Sequence, residues 1–132
     1  MARGPEPLVF LDTHVVAWLY DALVDKLSES ARSTIERSVA LTVSPMVRLE
    51  LQYLYEIGRL RVPPADILDG LRQSIGLKES NPSMTAVIRA ALGIKWTRDT
   101  FDRLIVAEAA ATDADLVTKE VRIREYYDRA VW

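Results

Sequence analysis

Five acidic side chains stand where chemistry could use them: Asp12, Glu50, Asp99, Asp102 and Glu120. Asp12 directly follows the apolar run "LVFL" (8–11), and Glu120 comes two residues after "LVT" (116–118). Asp99-x-x-Asp102 opens the long apolar run "FDRLIVAEAAA". Glu50 shares a helix face with Val47, Leu54 and Ile57, at −3, +4 and +7. Each acid taken alone has an ordinary explanation. Asp12 reads as a turn or N-cap residue, and Glu120 as a first-turn acid. Asp99 and Asp102 read as an N-cap and N3 pair, close to a capping box with Asp in place of Glu. Glu50, costly on an apolar stripe unless paired or metal-bound, reads as an ion pair with an arginine or as a metal ligand.

Four of these acids, Asp12, Glu50, Asp102 and Glu120, fall at strand-to-helix junctions or on a buried helix face, and no single ordinary explanation covers them all. Gathered together they repel, by roughly 4 kcal/mol per pair at about 4 Å and an effective dielectric of about 20. A hard divalent cation, Mg²⁺ or Mn²⁺, removes that cost and prefers carboxylate oxygens and retained waters. Such a site orients a water and neutralises charge developing on a phosphate, the chemistry of metal-assisted phosphodiester hydrolysis.

The elements that must position these acids are short. "LVFL" (8–11), "LTV" (41–43), "DLVT" (115–118) and the terminal "AVW" read as strands, and "LRV" (60–62) as a weak strand or connector. Between them lie helical stretches. "THVVAWLYDAL" is the first, and Ser28 caps a second over 28–39. Ser44-Pro45 starts a third that ends at Gly58. A helix follows Pro63-Pro64, then the segment "GLKES", then "PSMTAVIRAAL" ending at Gly93. Another helix runs from Asp99 to about Thr112, nearly apolar all round apart from Asp102, Arg103 and Glu108, and "KEVRIREYY" is a short last one. Strands alternating with helices predict an α/β fold with a mostly parallel sheet covered on both faces. Ligands of such sheets bind beyond the carboxyl ends of the strands, where strand order reverses.

Composition narrows the function further. At 132 residues, 49% apolar and 27% charged, the chain reads as one globular domain over 1–132. A net charge of −2 means that a nucleic-acid partner would be held by local cations or a metal. The absence of cysteine excludes disulfides, thiolate zinc sites and cysteine nucleophiles. The lead-in "MARGPEPLVFLD" is too short in apolar residues for a signal peptide or membrane span, so a cytoplasmic protein with no membrane partner is expected. Five scattered glycines form no phosphate-binding motif. A phosphoacceptor receiver reading is poor, because Thr118 and Lys119 are adjacent rather than on separate strands.

"FLDTHVVAWL", the Glu of "SPMVRLEL", "WTRDTFDRLIVAEA" and "LVTKEVRIREYYDRAVW", in that order along nearly the whole chain, resemble the PIN-domain family. The likeness is to its VapC-type toxins of bacterial toxin–antitoxin pairs. "LDTH" alone is a weak signal, and the combination with "RDxFDRLIVAEA" and the tail is specific. The resemblance implies a three-layer α/β/α fold and a Mg²⁺- or Mn²⁺-dependent endoribonuclease with RNA as substrate. It also implies a homodimer inhibited by a cognate antitoxin protein. Its acidic positions fall on Asp12, Glu50 and Asp102, expected to be catalytic and metal-binding, and on Glu120 as a fourth metal ligand. Asp99 matches a further acid of the subgroup, expected to cap the helix and hold Arg98 or Arg103. The family has Asp where Glu120 stands, so this ligand is one methylene longer, and it has Pro where Thr100 stands, a small loss at N1.

Thr13 and Thr118 are expected to hydrogen-bond the carboxylates. His14, the single histidine, could act as a base, yet one histidine beside a strand end is more often structural. Arg48, Arg59, Arg61, Arg98, Arg103, Lys119, Arg122 and Arg124 could contact phosphates, though many will be solvated or ion-paired. The rival reading is a non-catalytic PIN-like scaffold that binds RNA or protein without cutting. The full set of acids argues against it.

Overall fold

Short apolar runs bounded by turn residues become the strands, and side-chain caps start the helices between them. In a computed structural model, which describes residues 8–132, the order is β1 (Val9–Leu11), α1 (Thr13–Tyr20), α2 (Glu29–Arg37), β2 (Leu41–Val43), α3 (Pro45–Glu56), α4 (Pro64–Ile75), β3 (Lys78–Glu79), α5 (Met84–Leu92), α6 (Thr100–Ala111), β4 (Asp115–Val117), α7 (Val121–Tyr126) and β5 (Ala130–Val131). A single 3₁₀ turn, Val24–Lys26, links α1 to α2. The Gly/Pro lead-in of residues 1–7, on which the absence of a signal peptide was argued, lies outside the described residues.

The caps act where the sequence puts them. The Ser28 hydroxyl accepts from the Ala31 amide at 3.0 Å, and that of Ser44 from Met46 at 3.1 Å with Pro45 at N1. Each removes an amide otherwise orphaned in a first turn, worth about 1 kcal/mol. Gly58, just past α3, sits at φ +80°, a left-handed conformation that would strain any side chain.

All five strands run parallel in the order β3-β2-β1-β4-β5, flanked by helices in an α/β/α arrangement. α1, α3, α4, α5 and α6 pack in a connected series, while α2 and α7 contact β5. The core runs through Phe10, Leu11, Val43, Leu116 and Val117 of the sheet to Val15, Val16, Val47, Leu51, Ile67, Ile105 and Ile123 of the helices. Both edge strands are two residues long, which leaves little open edge to recruit another chain.

Two features depart from the expectations. Residues 60–62 form no strand; they are a connector whose Leu60 and Val62 pack half-buried on the core. The edge strand β3 lies instead within "GLKES". It pairs with β2 through Lys78 and Glu79, both exposed, so no apolar run marks it. Among the described residues, no helix is long and apolar enough to cross a membrane.

Candidate active site

Strand order reverses between β1 and β4, whose carboxyl ends lie side by side. Asp12 leaves β1 there, and Thr118 leaves β4. The Thr118 hydroxyl donates to Asp12 Oδ2 at 2.7 Å, while Asp12 Oδ1 accepts from the Thr13 amide at 2.8 Å and so caps α1. Asp12, Thr13 and Thr118 are all buried. The Thr13 hydroxyl points away from Asp12's cap and donates to Glu50 Oε1 of α3 at 2.5 Å. Both threonines therefore hold carboxylates, as expected.

No arginine pairs with Glu50 among the described residues, so the ion-pair reading falls and the threonine bond takes its place. Of the three neighbours on its helix face, Val47 and Leu54 are buried, whereas Ile57 lies beyond the last helical turn and is half exposed.

Asp99 is the N-cap of α6, its Oδ1 accepting from the Asp102 amide at 3.0 Å. The capping box stays open. The Asp99 amide donates to Thr97 Oγ1 at 3.1 Å, which leaves the Asp102 carboxylate free of that duty. The expected hold of Asp99 on Arg98 or Arg103 is not present: the Arg103 guanidinium donates to the Ala91 carbonyl at 3.1 Å and so ties α6 to α5. Glu120 is the N-cap residue of α7, but no side-chain cap bond forms, and its carboxylate is exposed. The Thr118 hydroxyl accepts from the Glu120 amide at 3.0 Å, so this one threonine ties Asp12 and Glu120 together.

Burial and the charges of neighbouring acids raise three of the carboxyl groups. Asp102 is pushed up to about 7, first by burial and then by the charges of Asp12, Asp99, Glu120 and Glu50. Burial also raises Asp12, against the bonds from Thr118 and Thr13 and with a push from Glu120. Glu50 is raised by burial, eased by the Thr13 hydroxyl and raised again by Asp12 and Asp99. The charge of His14 eases both Asp12 and Glu50.

A cleft of about 510 Å³ opens over Asp12 and Glu120, walled by His14, Trp18, Lys119, Val121 and Arg122. Trp18 stiffens one wall. Its ring packs at 6.2 Å from His14 and 6.1 Å from Trp132, and the ammonium groups of Lys26 and Lys119 lie 5.7 and 5.8 Å from its centre.

Among the described residues, no three carboxylates or imidazoles stand close enough to cage an ion as the side chains lie. The reason is visible in the bonds, because Asp12 and Glu50 are each turned to a hydroxyl. Among the described residues, no hydrogen bond holds the carboxylates of Asp102 and Glu120. The donor set itself, oxygen only and mutually repelling, suits a hard cation such as Mg²⁺ or Mn²⁺.

Sequence reasoning missed Glu108. It is fully buried on α6 and accepts a short hydrogen bond from the Ser80 hydroxyl just past β3. Ser80 also donates to the Val43 carbonyl, so the pair fastens the edge strand to the buried helix. The signal was its position in a helix apolar on nearly every side.

Comparisons with known proteins give the family and the fold. The PIN domain family matches residues 9–129. The Mycobacterium tuberculosis protein named Ribonuclease VapC22 is 33% identical over 120 residues, 89% of this chain and 91% of that one. Among solved structures, VapBC2 from Rickettsia felis bound to a DNA fragment from their promoter superposes with a TM-score of 0.62 at 18% identity, covering 93% of this chain and 96% of the other. PAE2754 from Pyrobaculum aerophilum gives 0.54 at 21% identity, covering 94% and 83%. At those identities the two structures speak for the fold.

Proposed function

The chain belongs to the PIN domain family, and from that premise we propose that it is the toxin ribonuclease of a toxin–antitoxin pair, a single-domain hydrolase of RNA phosphodiester bonds. The observation that carries this reading is the nearness of Asp12, Glu50, Asp102 and Glu120 at the carboxyl ends of β1 and β4. There burial first, and then the charges of Asp12, Asp99, Glu120 and Glu50, push Asp102 up to about 7. Carboxylates under such mutual repulsion, without an arginine among them, are set for a divalent cation. Asp12, Glu50 and Asp102 would hold Mg²⁺ or Mn²⁺, with Glu120 as a longer fourth ligand, direct or through a water. The ion supplies a polarised water and neutralises charge on the scissile phosphate.

The chain's own residues prepare that site. Thr118 and the Thr13 amide fix both oxygens of Asp12, and the Thr13 hydroxyl aims Glu50. Asp99 holds the first turn of α6, and with it the position of Asp102. Lys119 and Arg122 stand on the cleft wall, where a phosphate chain would pass.

Cleavage of single-stranded RNA in Mn²⁺ and in EDTA tests the reading. Cleavage by the wild type only with metal, lost in Asp12→Asn, is expected. Undiminished cleavage by Asp12→Asn would show that the acids are misassigned, and RNA binding without any cleavage would favour the scaffold. Four attributes rest on the family likeness and the sequence: a cognate antitoxin, a homodimer, a cytoplasmic location and the choice between Mg²⁺ and Mn²⁺. For the antitoxin, an arginine or lysine inserted among the carboxylates would displace metal by charge-assisted hydrogen bonds. Co-expression with the neighbouring open reading frame should yield a complex with little nuclease activity. For the dimer, Met84, Ile88 and Leu92 form an exposed apolar stripe at i, i+4 and i+8 on α5 that a second copy could cover. Sedimentation of the wild type beside Leu92→Lys reads it, with a shift toward monomer expected.

A further inference from the structure

Beside the acid cleft lies a second pocket of opposite charge. It encloses about 270 Å³ and is lined by Lys95, Trp96, Thr97, Arg98 and Arg122. Arg122 lines both pockets, so the two adjoin at its side chain. None of the three cations forms an ion pair among the described residues, in contrast to Arg48, Arg72 and Arg129. The Trp96 ring lies flat on that of Tyr126, with centroids 5.2 Å apart and planes within 6°. Tyr126 ends α7 and is 55% exposed. The Asp99 amide on Thr97 Oγ1 pins the loop that carries Trp96.

Tyr126 is not in the pocket lining but adjoins it through Trp96. Unpaired cations with a half-exposed aromatic ring at their margin match single-stranded nucleic acid, whose phosphates take charge and whose bases take a flat surface. An acidic peptide would use the cations and leave the ring idle. We propose that this pocket is a binding subsite for single-stranded RNA: Arg98, Lys95 and Arg122 grip phosphates, and Tyr126, backed by Trp96, stacks a base one or more nucleotides from the scissile bond. The subsite rests on the ribonuclease reading, since the strand must continue through Arg122 into the acid cleft. It fixes how the RNA lies and discriminates strand length rather than cleaving anything itself.

Binding separates the two claims. Fluorescence anisotropy of a labelled oligouridylate decamer with the full chain in EDTA, where no metal-dependent cleavage runs, reads the subsite alone. Tyr126→Ala should weaken binding about tenfold, about 1.4 kcal/mol, while Tyr126→Phe, which keeps the ring, should bind as the wild type does. Arg98→Ala should weaken binding and lower the slope of log K against log salt by about 0.7, one phosphate of a single strand. In Mn²⁺, the Tyr126→Ala loss should appear for the decamer and shrink for a dinucleotide too short to reach the ring. Wild-type affinity in both Tyr126→Ala and Arg98→Ala would overturn the subsite even if the protein cleaves RNA. Loss of binding in the variants with no cleavage by wild type would keep the subsite and sink the nuclease. Equal displacement of the decamer from wild type and Tyr126→Ala by poly-glutamate, with equal starting affinities, would point to an acidic peptide and also overturn it.

Discussion

Acids stand near both ends of strand β4, and they live differently. At the amino end, Asp115 accepts from Arg129 Nε at 3.0 Å and Asp113 lies 3.4 Å from Nη1 of the same guanidinium. Glu79, the last residue of the edge strand β3, is gripped by Arg48 through both oxygens. At the carboxyl end of β4, the acids meet hydroxyls and one another. Thr118 takes Asp12, Thr13 takes Glu50, and Asp102 feels four negative neighbours. Lys119 stands close by, yet its ammonium rests over Trp18. Asp113, Asp115 and Glu79 each have an arginine. Acids left together, their pKa values raised by burial and by each other, store a cost that a cation or substrate can relieve.

The sharpest way to break this contrast is to neutralise one acid at each end. Asp12→Asn keeps the shape and both hydrogen-bonding positions' volume but removes an anionic oxygen at the crevice. Metal-dependent cleavage should fall by about a thousandfold, in line with the several kcal/mol a bound ion supplies to the transition state. Circular dichroism should report an intact fold. Asp115→Asn, at the other end of the neighbouring strand, should leave cleavage per folded molecule unchanged. Equal losses in the two variants would mean that the ends of the sheet do not differ in role.

Stability against pH sharpens the contrast next. In the folded chain Asp102 keeps its proton up to about 7, whereas its ordinary value is 3.8. Between those values the folded state binds more protons than the unfolded one, so stability declines as pH rises through the window. The cost is complete above about 7 and absent below the ordinary value. Asp102→Asn removes it. In EDTA above that window the variant should gain about 1–2 kcal/mol, a figure reduced for partial solvent screening, and the gain should vanish at acid pH. Thermal melts across pH read this, and a variant less stable than wild type in alkaline EDTA would contradict the repulsion. Cleavage should be lost at every pH.

The reverse holds for acids that have partners. Asp99→Ala removes the cap of α6 and should lose about 1 kcal/mol, with measurable nuclease activity retained because its carboxylate serves the helix. Arg129→Ala leaves two carboxylates facing each other at the amino end of β4 and should lose a similar amount or less, about 1 kcal/mol at a half-exposed pair. Neither change should alter metal affinity measured by titration calorimetry. A tenfold weaker metal affinity in Asp99→Ala would move Asp99 into the group of ligands.

How much of this was legible beforehand depended on residue type. Strands written as apolar runs, such as "LTV", and helices opened by Ser44-Pro45 or closed by Gly58 were readable, because local backbone chemistry decides them. β3 was not, since a two-residue exposed edge strand is made by its partner β2 and leaves no periodicity. The place of Asp12 at the point where strand order reverses, beside Thr118, followed from the rule for parallel sheets. That Thr13 serves Asp12 with its amide and Glu50 with its hydroxyl is a matter of side-chain direction, which spacing does not carry. The stack of Trp96 on Tyr126, thirty residues apart in chain, was beyond any local signal for the same reason.

The smallest expected effect is at Glu120, which sits between the two classes of acid. It caps α7 by position without a cap bond, is exposed, and pushes on both Asp12 and Asp102. Its side chain is one methylene longer than an aspartate and lines the cleft. Glu120→Asp shortens that reach and, at an N-cap, gives a better capping side chain. If Glu120 reaches an ion only loosely, the shorter acid should leave metal affinity unchanged or slightly improved. Calorimetric titration of Mn²⁺ into both proteins measures it. A tenfold loss, about 1.4 kcal/mol, would mean that the crevice is built around the longer side chain, and Glu120 would then join Asp12 as an acid the site depends on.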